Sequence, residues 1–156
     1  MSSDRSNLID RIKKHFEHVR KVAYNEELEC LFVWSYDTTC HKLLVYKIEK
    51  KPGWGWRVAV SPIEEIVVKD DERASKMIEF VHLVNYTYLL LSYLYYDLEE
   101  KSVYVACNIF YDEEPTDEEI ALCFDDAVKT LASYEEKLRA VAAGDFSPFN
   151  DRDFNE

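Results

Sequence analysis

Few residues in this chain stand at spacings that support catalysis or metal binding. His15 and His18 are three apart, which on a helix brings two imidazoles to one side, but no metal-binding glutamate motif accompanies them. Cys30, Cys40 and His41 supply three zinc-type ligands, without the short ligand spacing of structural zinc sites. Asp125 and Asp126 are adjacent on a helix-like segment and so point to different azimuths rather than pairing across a substrate. Gly53 and Gly55 flank a tryptophan in a turn and make no phosphate loop. The cysteines at 30, 40, 107 and 123 form no C-x-x-C pair and sit among apolar residues, as small buried hydrophobes do. Each arrangement lacks a second group at workable spacing. The sequence therefore predicts a non-enzyme with no catalytic residue, metal or cofactor.

What remains is surface chemistry. The 156 residues carry 31 acids against 19 bases, a formal net charge of -12. Such a chain is poorly suited to gripping a nucleic-acid backbone or an anionic membrane, both of which need clustered positive charge. Aromatics reach 14%, with 11 Tyr, 8 Phe and 3 Trp, enough large side chain for a core and for an interaction surface. Trp34, Tyr36, Tyr46, Trp54 and Trp56 are the candidate partner-binding residues, because amphipathic aromatics suit interfaces. Their competing role is structural, with Trp54 and Trp56 stapling a hairpin end beside Pro52-Gly53.

The elements that must position these residues can be read from periodicity. Residues 4–23 predict a helix, with Leu8, Ile12, Phe16, Val19 and Ala23 on one side. This segment is net positive while the remainder is strongly negative, so its basic face is either solvated or complements the acidic body. Three strands are predicted at 28–36, 42–50 and 54–60, joined closely enough for an antiparallel meander, with Pro62 at the end of the third. Asp70-Asp71-Glu72 opens a second helix that runs to about residue 86. Strands at 88–96 and 102–110 follow, joined by a link too poor in glycine for the tightest hairpin turns. Thr116 and Glu119 have capping-box spacing at the head of a third helix ending near Gly144. Residues 145–156 predict a flexible acidic tail. The longest apolar run, Tyr86 to Tyr96, is eleven residues, against roughly 20 for a spanning helix. The N-terminal residues lack the apolar stretch of a secretory signal, which predicts a cytoplasmic protein. The predicted architecture is a single α+β domain over 1–144, order α-β-β-β-α-β-β-α, with a twisted antiparallel sheet of about five strands.

Residues 77–144 carry a pattern that points further. MIEFVHLVN closes a helix on Asn85, a strand, acidic turn and strand follow, and PTDEEIALCFDDAVKTLASYEEKL leads to Ala143-Gly144. This stretch resembles the bacterial YbjN-like family, labelled sensory transduction regulators. The N-terminal half is similar only in its element order. The resemblance implies a type III secretion chaperone-like fold, frequent homodimerisation, and binding or regulation rather than catalysis. It implies no catalytic residue. A glycine expected in the hairpin turn is replaced by Glu99-Glu100-Lys101.

Two functional expectations follow. The first is a non-enzymatic, chaperone-like or regulatory protein holding a protein or peptide through an apolar, aromatic sheet surface, because both faces of the predicted strands are apolar. The alternative is an acidic inhibitor or immunity-type protein blocking a basic target, with clusters such as Asp112–Glu119 steering association.

Overall fold

The computed structural model describes residues 10–11, 13–14, 22–25, 27, 30–37, 40–51, 55–87, 91–109 and 116–150. The strands are β1 (Val22–Asn25), β2 (Cys30–Asp37), β3 (Cys40–Lys51), β4 (Gly55–Pro62), β5 (Ile66–Val67), β6 (Tyr93–Asp97) and β7 (Ser102–Ile109). The helices are α1 (Asp71–Thr87) between β5 and β6, and α2 (Asp117–Ala142) after β7, followed by a 3-10 turn at Ser147–Asn150. The α+β class with an antiparallel sheet holds; the strand number rises from about five to seven.

β1 to β4 form an antiparallel meander, and β7 then pairs with β4. β7 is central to the second half of the sheet. Val105 pairs with Val60 on one side and Leu94 on the other. Val103 pairs with Ile66 and Tyr96. β5 therefore shares the β4 edge of β7, and β6 takes the opposite edge. Between Val60 and Ile66 the chain advances six residues while β7 advances two, from Val105 to Val103. The surplus residues loop out just after Pro62, which has no N–H for the ladder. This short interrupted strand has no period-two signature of its own.

β6 begins at Tyr93, after a bend at Leu91 and Ser92, rather than continuing from 88, and two further boundaries differ from expectation. Val22 and Ala23 begin β1 and pair with Val33 and Phe32, instead of closing a helix. Of the rest of the predicted first helix, only 10, 11, 13 and 14 lie among the described residues, and they are helical. Arg11 binds Asp117 at 2.9–3.0 Å, so this basic segment meets the acidic start of α2. The other difference is at the C-terminal end. Residues 145–150 are not a loose tail: Pro148 is buried, and Phe149 packs edge-on against Phe80 at 5.4 Å. The Gly144 N–H donates to Val141 O and the Asp145 N–H to Ala140 O, closing α2 in a Schellman motif with Gly144 at φ +91°. Residues 151–156 lie outside the described residues.

Among the described residues, the main core cluster lies on one sheet face. Tyr24, Leu31, Tyr46, Val60, Val105 and Leu94 are successive cross-strand partners, forming a row across the sheet. α2 lays Cys123, Phe124, Ala127, Leu131, Leu138 and Val141 over this face, with the Phe124 ring 4.7 Å from that of Tyr46. α1 adds Met77, Phe80, Val81 and Val84. The predicted capping box starts α2: Thr116 Oγ1 accepts from the Glu119 N–H at 3.2 Å, and Glu119 Oε1 accepts from the Thr116 N–H at 3.3 Å.

Two side-chain devices hold the β6–β7 hairpin. Asp97 Oδ1 accepts from the N–H groups of Glu99 and Glu100 at 2.9 and 3.1 Å, an Asx-type turn that replaces the missing glycine. The strain of this solution falls on Lys101, at φ +53°. Asn85, near the end of α1, donates to Leu94 O at 2.8 Å and accepts from the Leu94 N–H at 2.7 Å, imitating a strand on the outer edge of β6. Replacing Lys101 by Gly should raise stability by about 0.5–1 kcal/mol, since a left-handed residue without Cβ carries less strain. Asn85→Ala should lower it by about 2 kcal/mol, because two backbone groups lose their partner. Urea unfolding monitored by circular dichroism checks both; no change in either variant would show that the turn and clamp add nothing.

Candidate functional site

The strand pairing separates the five aromatics expected to form a partner surface. Tyr46 is fully buried in the core row and is not a surface residue. Trp56 stands in phase with Val58 and Val60 on β4, so it belongs to the Tyr46 side by register. Trp34 and Tyr36 stand on β2 out of phase with Leu31, the residue that pairs with Tyr46. Trp54 lies outside the described residues. The four that lie among the described residues therefore do not share a face. The strand parity of KLLVYKIEK already places Tyr46 with Leu44; grouping aromatics by residue type obscures that.

A different aromatic group occupies the second sheet face, opposite both described helices. It comes from odd positions of β4 and β6 and even positions of β7, which the register brings side by side. Tyr95 and Tyr104 are cross-strand partners whose rings stack at 4.9 Å and 26°. The Arg57 guanidinium lies 5.0 Å from the Tyr95 ring centre, a cation–π arrangement. The Tyr93 hydroxyl donates to Asn108 Oδ1 at 3.0 Å. All five side chains are half-buried. Burial, reinforced by Tyr95, pushes the Tyr104 phenol up to about 12, although Arg57 pulls the other way. Burial alone would lower the Arg57 value; the phenols of Tyr93, Tyr95 and Tyr104 outweigh it and hold the guanidinium more firmly charged. Arg57 Nε is buried without a hydrogen-bond partner among the described residues.

Beside this ladder lies a groove of about 350 Å³. Its floor is Val45, Ala59 and Val103, and its hydroxyls are Ser61, Ser102 and Tyr104. Its charged residues are Glu65, Asp97 and Glu100 against one cation, Lys47. β3 and β4 supply one wall, and the bulge after Pro62 brings in Glu65. The β6–β7 turn supplies Asp97 and Glu100. Neither the bulge nor this convergence is visible as a motif, because the contributing residues are spread over 60 positions, from Val45 to Tyr104. The signal that existed was the tyrosine parity of YLYYD against SVYVACNIF.

The nucleophile candidates are inside the core. Cys107 and Cys123 share a thiol–thiol hydrogen bond, which pushes Cys107 up, further helped by burial, and holds Cys123 down. Both are buried beneath α2, where they act as packing groups. Asp126 accepts from the Ser92 N–H at 3.1 Å and so ties α2 to the bend before β6. Asp125 does not pair with it across a cleft. Among the described residues, no group of three His, Cys, Asp or Glu side chains could hold a metal ion. Cys30 pairs with Lys47, and Cys40 lies seven residues away along β3, about 23 Å at strand rise. His15 and His18 lie outside the described residues. No described helix is long and apolar enough to cross a membrane.

No family model, curated protein or solved structure matches this chain.

The Tyr104 environment generates a titration test. Its phenol is raised above the ordinary value of about 10, so the folded state retains a proton that the unfolded state releases. The associated stability is complete below pH 10 and is lost as pH climbs towards 12. Absorbance titration at 295 nm should show a late-ionising tyrosine that disappears in Tyr104→Phe. A variant with an unchanged titration curve would refute the assignment.

Proposed function

We propose that this chain is a non-enzymatic protein-binding module that receives an extended, positively charged segment of a partner across the second sheet face. The observation that carries this reading is the groove, lined by three carboxylates and one ammonium alongside a half-buried tyrosine ladder. A lysine or arginine of the guest would meet Glu65, Asp97 or Glu100, and its apolar neighbours would lie on Tyr95, Tyr104 and Ala59. The chain's net charge of -12 favours the same class of guest and accelerates its approach. Strand addition at β6 is the less favoured mode, because Asn85 already occupies the Leu94 backbone.

The wider reading is a chaperone-like or regulatory protein of the cytoplasm, related to the YbjN-like family and to the type III secretion chaperone-like fold, and acting as a homodimer. Its support is the order of a strand meander, a crossover helix, a hairpin and a final helix, together with the Asn85 and Ala143-Gly144 patterns of the C-terminal half. A second reading, an acidic inhibitor of a basic target, draws on the exposed acids Asp117 and Glu118 at the head of α2.

Selection from a random-peptide library on the immobilised chain tests the choice. Enriched peptides should place Lys or Arg among apolar residues. Glu65→Lys combined with Glu100→Lys should weaken them about tenfold or more. Tyr95→Ser with Tyr104→Ser should weaken the binding that remains at high salt, where exposed ion pairs are screened. Peptides indifferent to both pairs of substitutions would remove the groove from consideration. Binding that vanishes with salt and depends only on Asp117 and Glu118 would favour the inhibitor reading.

A further inference from the structure

A second cavity, of about 410 Å³, lies between β5, the first turn of α1 and the last turn of α2. Three bases line it, Lys69, Arg73 and Arg139, against one carboxylate, Glu65. In a chain where acids outnumber bases 31 to 19, bases outnumber acids among the residues that line it, although Asp70 and Glu135 pair with two of the three. Lys69 comes from the link after β5, Arg73 from α1 and Arg139 from α2, so the fold assembles them.

Two of them are held in fixed orientations. Arg139 Nη2 donates to Glu64 O at 2.7 Å and to Glu135 Oε1 at 3.2 Å, and its Nε reaches the same carboxylate at 3.4 Å. Glu135 is itself buried, so it acts as an anchor for the guanidinium. Arg73 Nε pairs with Asp70 Oδ2 at 3.1 Å, and Asp70 also accepts from the Arg73 backbone N–H at 2.8 Å. These carboxylates take the Nε sides of both arginines. Arg73 keeps both Nη groups, and Arg139 keeps Nη1, without a partner among the described residues. Lys69 is exposed and has no partner among the described residues. Gly144 permits the arrangement: a Cβ there would stand 3.2 Å from Arg73 Nε and 3.4 Å from its Cζ. The arginine thus lies directly on the glycine turn that closes α2.

We propose that this cavity binds a phosphate group, either free phosphate or the phosphoryl group of a small molecule. A planar guanidinium with free Nη groups donates paired hydrogen bonds to a phosphate, and an ammonium adds a mobile point charge. Pre-fixed arginines lose little freedom on binding. The cavity falls in the size range of small-molecule sites and has apolar walls at Ile66, Val67 and Ala142, leaving room for a carbon skeleton beside the phosphoryl group. Glu65 borders both this cavity and the groove on the second face, but the phosphate site does not depend on a peptide being bound.

The test is a titration of the ¹⁵N-labelled full chain at constant ionic strength, with inorganic phosphate in one arm and ribose 5-phosphate in the other. Sodium chloride and ribose serve as controls. Saturable shifts are expected at the Gly144 and Lys69 amides and at Arg73 Nε. Lys69→Gln and Arg73→Gln should each weaken binding about tenfold while circular dichroism stays unchanged. Arg139 is left intact because its loss would strand the buried Glu135. Equal affinity in both arms identifies free phosphate as the sufficient ligand; tighter binding of ribose 5-phosphate identifies a phosphorylated small molecule. The proposal is overturned if neither phosphate saturates these resonances, if chloride reproduces the shifts, or if both variants bind as the parent chain does.

Discussion

The register of one cross-strand row decides most of this molecule. Tyr24, Leu31, Tyr46, Val60, Val105 and Leu94 lie side by side across the sheet, and α2 closes over them through Phe124. Burying each such side chain is worth roughly 1.5–3 kcal/mol. A slip of one residue in any strand would turn its members to the other face. Because the row fixes which residues face α2, it also fixes which residues meet on the second face. Arg57, Tyr95 and Tyr104 meet on the second face only because Val58, Val60 and Val105 are committed to the first.

Much of this was legible in the sequence, and the reasons for the rest are specific. α1, α2 and the hairpin strand Ser102–Ile109 carry strong periodicity and local stop signals, so their extents agree with the reading to within a few residues. The Thr116–Glu119 box and the Gly144 stop are encoded within one turn of chain and form as expected. β1 and β5 are four and two residues long; their existence depends on neighbours brought by tertiary pairing. Residues 145–150 look polar, but Phe146, Pro148 and Phe149 find the α1 surface once α2 has ended beside it. Tyr46, fully buried, depends on tertiary pairing in the same way. Residue type identified aromatics, whereas strand phase decides which of them meet.

Charge is also distributed by the fold rather than by composition. The chain is strongly acidic, but its cations are used at specific points. Arg11 meets the head of α2, Arg57 lies over a phenol ring, and Arg139 bridges a buried carboxylate and a backbone carbonyl. The groove and the basic cavity have opposite polarity and share one wall residue, Glu65. A guest at either place would alter the field felt at the other through that carboxylate.

The Asn85 amide has a further consequence. An exposed tyrosine-bearing strand at a sheet margin is a template on which other chains can stack and grow into fibrils. Here the second residue of the five-residue margin, Leu94, already has both outward backbone groups taken by Asn85. An incoming strand must first displace an amide from its own molecule, a competition the intramolecular partner wins at ordinary concentrations. One helix-end side chain thus denies an incoming strand the backbone of this margin at Leu94.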